Sequence, residues 1–362
     1  VIAPCTVHAD ARAAISAFSP PPHLHFGQTI APVLFQVDYS DGHWGNAELR
    51  VYGPIQLDPA AKVLHYAQVV FEGLKAYRVA QQRAQIFRPT MNWRRMNASA
   101  RRMLMPELPE DLFMQGLFAM VAACEPIIPR ASGQSLYLRP LMFATQPALG
   151  LAASTTYTFM VIASPSDAFA TGSLRVLIER EASRAAIGGT GHVKVSGNYG
   201  ASLRSTTTAM QQGFNQPLWL DAASHRYIEE LSVMNFFAVI DGELHTPPLD
   251  GTILPGVTRD SVIALARAGG MVVREQPLEI DGLLNLIESA QCTEAFACGT
   301  AVIIASISAI GDGKRGIREF EAPTGPVAER LRKDLLDIQE GRAGDRFGWM
   351  QSVPKEFYGG GA

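Results

Sequence analysis

Two strand-rich stretches, separated at residues 165–173 by PSDAFATGS, limit what this chain can fold into more than any other feature. Its 362 residues exceed what one core serves, since cores divide beyond ~250–300 residues. The Pro, Gly, Ser, Asp and Thr of 165–173 are therefore read as a linker between two domains. Before it, VLFQVDY (33–39), ELRVYG (48–53), HYAQVVFEGLKAYR (65–78), AQIFRP (84–89), SLYLRPLMFAT (135–145) and TTYTFMVIAS (155–164) are β-prone. Helices are predicted over 92–103 and 110–124, the second amphipathic with Pro109 before its first turn.

After the linker, LRVLIER (174–180), PLWLD, RYIEEL, MNFFAVIDG, GELHT, MVVREQPLEI (271–280), TEAFACG and TAVIIASISAI (300–310) are predicted strands. Residues 198–213, the segment after LPGVTR, and 327–340 are predicted helices. The expected class is α/β, built as two α+β lobes with a cofactor cleft between them. The domains are a small one over 31–164 and a large cofactor-binding one over 174–362. Residues 1–30, with Pro20, Pro21 and Pro22, are expected to form an irregular arm.

A formal net charge of −3 and dispersed basic residues give no stripe for nucleic acid or membrane, so small molecules are the expected partners. Cys5, Cys124, Cys292 and Cys298 lack metal-ligand or C-x-x-C spacing, which predicts no metal and reduced thiols in a cytoplasmic protein. The most apolar run, 112–124, falls short of the ~20 residues a span needs. No secretory leader is read at the start.

The chemistry centres on GGTGHVKVSGNYGASL at 188–203, which sets Lys194 between Val193 and Val195. Desolvation disfavours an ammonium, and a neutral amine attacks aldehydes. Five other lysines, at 62, 75, 314, 333 and 355, lie in polar or amphipathic surroundings. LPGVTR at 254–259 puts Leu254 and Gly256 in a turn at a helix start, where the amides of Val257 and Thr258 and the Thr258 hydroxyl suit a phosphate. Thr300 in GTA offers a second such turn. On a strand, alternation turns one of Glu229 and Glu230 outward and the other inward, where it needs a positive partner. Tyr199 starts a helix five residues after Lys194.

These segments, in this order, resemble the branched-chain amino acid aminotransferases, pyridoxal-phosphate enzymes of fold type IV. HYAQVVFEGLKAYR, YLRP at 137–140, GGTGHVKVSGNY, LDGTILPGVTRDS and ACGTA carry the resemblance over roughly 33–350. It implies that Lys194 forms the Schiff base with pyridoxal 5'-phosphate. It further implies that Arg95, Val257, Thr258 and Thr300 hold the phosphate, that Glu230 meets the ring nitrogen and Tyr199 the ring oxygen, and that Arg94 is structural. For substrate it implies that Tyr137 and amides near Thr300 and Ala301 hold the α-carboxylate, and that Arg139 meets the distal carboxylate of glutamate. Tyr66, Phe71, Gly73 and Tyr77 are the implied apolar wall.

The implied activity is reversible transamination between leucine, isoleucine or valine and 2-oxoglutarate, giving branched-chain 2-oxo acids and L-glutamate, in a homodimer. Departures fall at Leu231, Ser232 and Val233, where the family carries small residues, and at Ser196, where it commonly carries glycine. Val302 and Ala305 stand where mammalian relatives have a cysteine pair. The alternatives are a D-amino acid aminotransferase, an aminodeoxychorismate lyase, an amine transaminase, or an idle relative that keeps only the fold.

Overall fold

A computed structural model describes residues 5–78, 83–168, 172–322 and 324–358. They fall into two compact units. The first contains the residues up to 168, Lys194–Ser196 and the residues from Asp337 onward; the second contains 172–193 and Gly197–Leu336.

The first unit opens with β1 (Thr6–Val7) and α1 (Ala9–Ala17), so the arm expected to be irregular is partly ordered. Its segment ADARAAISA is alanine-rich, which favours helix, and Ala11 is buried. Pro20 to Pro22 only prevent the helix from continuing. Then come β2 (Val33–Ser40), β3 (His43–Trp44), β4 (Glu48–Val51), α2 (Lys62–Tyr66), β5 (Val69–Phe71), β6 (Leu74–Tyr77) and β7 (Gln85–Phe87). The helices α3 (Pro89–Arg102) and α4 (Glu110–Cys124) lead to β8 (Ser135–Ala144) and β9 (Tyr157–Ser166). The sheet runs β1-β4-β2-β9-β8-β6-β7, antiparallel except at β1–β4.

The apolar run 112–124 lies in α4, pressed so closely to the sheet that a Cβ at Gly116 would stand 2.9 Å from Phe35. The helix is apolar on most sides rather than amphipathic as expected, because α1 and α3 pack against it as well as β2 and β9. Among the described residues no helix is long and apolar enough to cross a membrane.

The expected single strand through FEGLKAY is broken at Glu72 and Gly73. Both β5 and β6 pair with β8, yet opposite the break stands Pro140, which has no N–H to give the ladder. The Glu72 amide still donates to the Pro140 carbonyl at 2.8 Å. The interruption leaves the Glu72 side chain wholly buried.

The second unit contains β10 (Leu174–Glu179), all but the first residue of α5 (Ser196–Gln211), β11 (Gln216–Leu220), β12 (Ile228–Leu231), β13 (Asn235–Ile240) and β14 (Glu243–Thr246). It continues with α6 (Val257–Ala268), β15 (Val273–Glu275), α7 (Ile280–Glu288), β16 (Cys292–Gly299), β17 (Ile303–Asp312), β18 (Gly316–Glu319) and most of α8 (Pro326–Gln339). Strands run β12-β11-β10-β17-β16-β13, and β13 pairs back with β12, closing a small mixed barrel. Val176, Leu218, Leu231, Phe236 and Ala297 belong to its core. The expected strand 271–280 shrinks to β15, and α7 was not foreseen. IDGLLNLIE nonetheless buries Ile280, Leu283, Leu284 and Ile287, a helical spacing that was present in the sequence.

The expected division also needs correcting at its ends. Strand β9 runs through Ser166, inside the expected linker 165–173, and residues 169–171 of that linker lie outside the described residues. The last residues do not stay with 174–336: β19 (Met350–Ser352) pairs antiparallel with β7, at the edge of the first unit's sheet.

Candidate active site

In the first unit the Lys194 backbone is pinned on both sides. Its N–H donates to Ser99 Oγ (2.9 Å), and its carbonyl accepts from the Phe71 N–H (3.1 Å). Val195 forms a β-bridge with Val70. The amine lies 4.9 Å from the centre of the Phe71 ring. Desolvation and then the Arg95 charge hold its pKa down at about 8, Arg139 adding to this while Glu72 and Tyr137 oppose it.

Helix α3 faces this lysine with Asn92, Arg95 and Ser99, which share one side of the helix, while Arg94 is exposed. Arg95 is buried and grips Glu72 with two donors, Nε to Oε1 at 2.7 Å and Nη2 to Oε2 at 2.8 Å. Asn92 Nδ2 also donates to Glu72 Oε2 at 2.7 Å.

From β8, Arg139 Nη2 donates to the Tyr137 hydroxyl at 2.7 Å, and its guanidinium sits 4.8 Å from the Phe71 ring centre. A Cβ at Gly73 would lie 2.2 Å from that hydroxyl, so only glycine admits Tyr137 there. Phe71, Gly73, Tyr137 and Arg139 are thus brought together with Lys194. Tyr77 is fully buried. Tyr66 is partly exposed on α2, with its hydroxyl donating to the Leu149 carbonyl. Phe26, from the N-terminal arm, meets the Tyr137 ring edge-on at 4.8 Å and was not foreseen.

The other lysines depart from expectation in one respect. Lys62 and Lys75 are buried, and Lys62 Nζ donates to the carbonyls of Gly150 and Ala152, both at 2.8 Å. Lys62 therefore staples a loop.

In the second unit Glu230 receives Arg184 Nη2 (2.8 Å), Asn235 Nδ2 (2.9 Å) and the Leu254 N–H (3.2 Å). A Cβ at Gly256 would stand 2.1 Å from Asn235 Oδ1, so glycine lets the 254–256 turn close onto this cluster. Helix α6 then starts at Val257, capped by no side chain, and the amides of Val257 and Thr258 open its positive end. Thr300 and Ala301 form the turn expected at GTA, and the strand expected from 300 starts only at Ile303. Ile303 follows at φ 68°, a left-handed conformation that β-branched residues rarely take. Tyr199 lies on the first turn of α5, partly buried.

The expectation that alternation would turn one of Glu229 and Glu230 outward fails: both are buried. β12 turns straight back into β13, with the Leu231 N–H bonded to the Met234 carbonyl, and all four of its residues are covered. Burial pushes Glu229 up to about 7 against the pull of Thr252 and Arg184, with Asp250 and Glu230 raising it further. Its Oε2 has no hydrogen-bond partner.

The glycine-rich loop has its own geometry. Gly188 has φ 81°, and a Cβ at Gly191 would meet the Thr252 carbonyl at 2.2 Å. Asn198 ties the loop down by donating to the carbonyls of Thr190 (2.7 Å) and Val193 (3.1 Å). Sequence reasoning missed Glu72, Asn92, Ser99, Arg184, Asn235 and Asn198, whose roles arise only from pairing. Among the described residues no cluster of His, Cys, Asp and Glu suits a metal.

Comparison with known proteins places these residues in context. The family described as amino-transferase class IV matches residues 69–310. A branched-chain-amino-acid aminotransferase of Mycobacterium tuberculosis is 42% identical over 334 residues, covering 90% of this chain and 91% of that protein. The solved branched-chain amino acid aminotransferase from Escherichia coli superposes with a TM-score of 0.72 at 27% identity, covering 88% of this chain and 99% of the other. A branched-chain amino acid aminotransferase of Thermobaculum terrenum in its PLP form gives 0.74 at 25% identity, with 90% and 100% covered.

Proposed function

The chain belongs to the class IV aminotransferases, and from that premise we propose that it is a pyridoxal-phosphate-dependent branched-chain amino acid aminotransferase. It moves the amino group between leucine, isoleucine or valine and 2-oxoglutarate, yielding branched-chain 2-oxo acids and L-glutamate. The observation that carries this reading is Lys194, fixed through both backbone groups with its amine held at about 8.

The residues fit pyridoxal 5'-phosphate by the chemistry of their donors: an amine of lowered basicity, a buried carboxylate held by Arg184 and Asn235, and a helix N-terminus opened by Gly256. When bound, the cofactor supplies an electron-withdrawing ring that stabilises negative charge at the substrate α-carbon. Lys194 Nζ, partly neutral near pH 8, would hold the cofactor covalently and would be the base that takes and returns the α-proton. Glu230 holds the ring nitrogen protonated, and Tyr199 orients the ring oxygen. Arg95, Val257, Thr258 and Thr300 bind the phosphate, with Leu254 and Gly256 shaping the turn. Tyr137 and Ala301 position the α-carboxylate, and Arg139 the second carboxylate of glutamate. Phe71, Gly73 and Tyr66 favour an apolar side chain.

The reading extends to a cytoplasmic homodimer, supported by the family resemblance and by four free thiols. Sedimentation as a monomer at assay concentration would overturn the dimer. The activity is tested by offering L-leucine, D-alanine and a chiral amine as donors to 2-oxoglutarate while following the visible absorbance. L-Leucine is expected to be the preferred donor. Lys194→Ala is expected to slow turnover by at least about 10⁴-fold, and a variant that kept its rate would refute the reading.

A further inference from the structure

Glu72 is as buried as any charged side chain in the described chain, with a relative exposure of 0%, and the reaction itself gives it nothing to do. It sits at the β5–β6 break beside Pro140, a place set by the sheet rather than by helix or strand propensity. A lone carboxylate buried there would be costly, but this one is fully engaged. Oε1 takes Arg95 Nε; Oε2 takes Arg95 Nη2, Asn92 Nδ2 and, at 3.2 Å, the Gly73 N–H.

The two parallel Arg95 bonds fix the plane of the guanidinium as well as its place, because a fork on a carboxylate has one flat geometry. Ser99 is tied to the same helical turn, its Oγ donating to the Arg95 carbonyl at 2.9 Å while accepting the Lys194 N–H. Orientation of the arginine and location of the lysine are thus built from one patch of α3.

We propose that Glu72 is a positioning residue, which holds the Arg95 guanidinium for the cofactor phosphate and balances its charge beside Lys194. This rests on the reading of Arg95 as a phosphate ligand. Among the described residues, the groups acting electrically on the Lys194 amine include Arg95 from α3, Glu72 from the β5–β6 break, and Tyr137 and Arg139 from β8. Arg95 and Glu72 act in opposite directions, so removing the Glu72 charge leaves the Arg95 charge less opposed.

The test compares full-length protein freed of cofactor and reloaded with pyridoxal phosphate or with pyridoxal, which lacks the phosphate. Glu72→Gln keeps the volume but cannot accept both Arg95 donors. It is expected to weaken pyridoxal phosphate binding by about 10- to 100-fold, the scale for groups that orient a ligand residue, while binding of pyridoxal stays within about twofold. The pH midpoint of the visible absorbance is expected to move down, which lost stability alone would not cause. Asn92→Ala, which leaves no buried charge unpaired, is expected to give a smaller loss in the same direction, and it carries the test if Glu72→Gln does not fold.

Arg95→Gln separates the two ideas. If it removes the preference for the phosphorylated ligand while Glu72→Gln and Asn92→Ala retain it, the role of Glu72 is refuted alone. If Arg95→Gln keeps the preference, the phosphate reading of Arg95 fails, and this proposal with it. Equal losses for both ligands in Glu72→Gln would mean general disruption and would also overturn the proposal.

Discussion

Among the described residues each unit contains a buried Glu–Arg pair, and the proposed function uses the two pairs in opposite senses. On the proposed function, Arg95 of the Glu72–Arg95 pair is the group offered to a ligand and Glu72 is its support. On the same proposal the glutamate of Glu230–Arg184 is offered and the arginine supports it, Arg184 also donating to the Gly191 and Thr252 carbonyls. The geometry is similar, 2.7 Å and 2.8 Å at the shortest contacts, so distance alone does not reveal which partner works. What differs is the surroundings. Glu72 is saturated with donors, whereas beside Glu230 a second carboxylate, Glu229, keeps an oxygen without a partner. Buried charge pairs are weak evidence of stability, and these two make better sense as devices for holding a charge in place.

The largest effect expected from testing this contrast is at Arg184. Arg184→Ala leaves Glu230 buried without its cation and should lower unfolding free energy by about 3–5 kcal/mol, read from urea midpoints, while displacing the visible absorbance of the loaded enzyme. A variant with both properties intact would show that Glu230 does not depend on its partner, and the symmetry between the pairs would be lost.

Next comes Glu229. Its folded-state pKa of about 7 lies above the ordinary 4.5, so the folded protein retains a proton that the unfolded chain has released. Stability should therefore decline as pH rises from about 4.5 to about 7 and level off beyond, by at most about 3 kcal/mol. Glu229→Gln should remove that decline and be the more stable form at pH 8. Parallel curves for the two proteins across pH 5–8 would contradict it.

The smallest effect expected is at Phe26, whose edge contact with Tyr137 is worth about 0.5–1.5 kcal/mol. Phe26→Ala should raise the KM for amino donors by up to about tenfold, with less change in kcat. An unaltered KM would detach the N-terminal arm from the first unit's site.

The parts of this site that the sequence made legible are those announced by local chemistry. Lys194 stands out among glycines and valines, Gly256 precedes a helix start, and Tyr137 and Arg139 share a strand face. The partners Glu72, Arg184 and Asn235 carry no such mark, because each acquires its role by meeting a residue distant in the chain. The alternation argument failed at Glu229 because β12 has only four residues and lies at the barrel seam, where both faces are covered. The helix α7 was legible in principle, but EQPLEI ahead of it invited a strand. Pro140 was in plain sight within YLRP, yet its effect, splitting the strand opposite, required knowing which strand that would be.

The pairing of β19 with β7 has a consequence for how the chain matures. The ribosome releases Gln85–Phe87 long before Met350–Ser352, so during synthesis the outer rim of the first sheet waits with unsatisfied backbone groups. The barrel, whose strands are all made by Asp312, is complete in translation order before that rim is sealed. A nascent chain halted between these points has every barrel strand made while the β7 edge still lacks its partner strand.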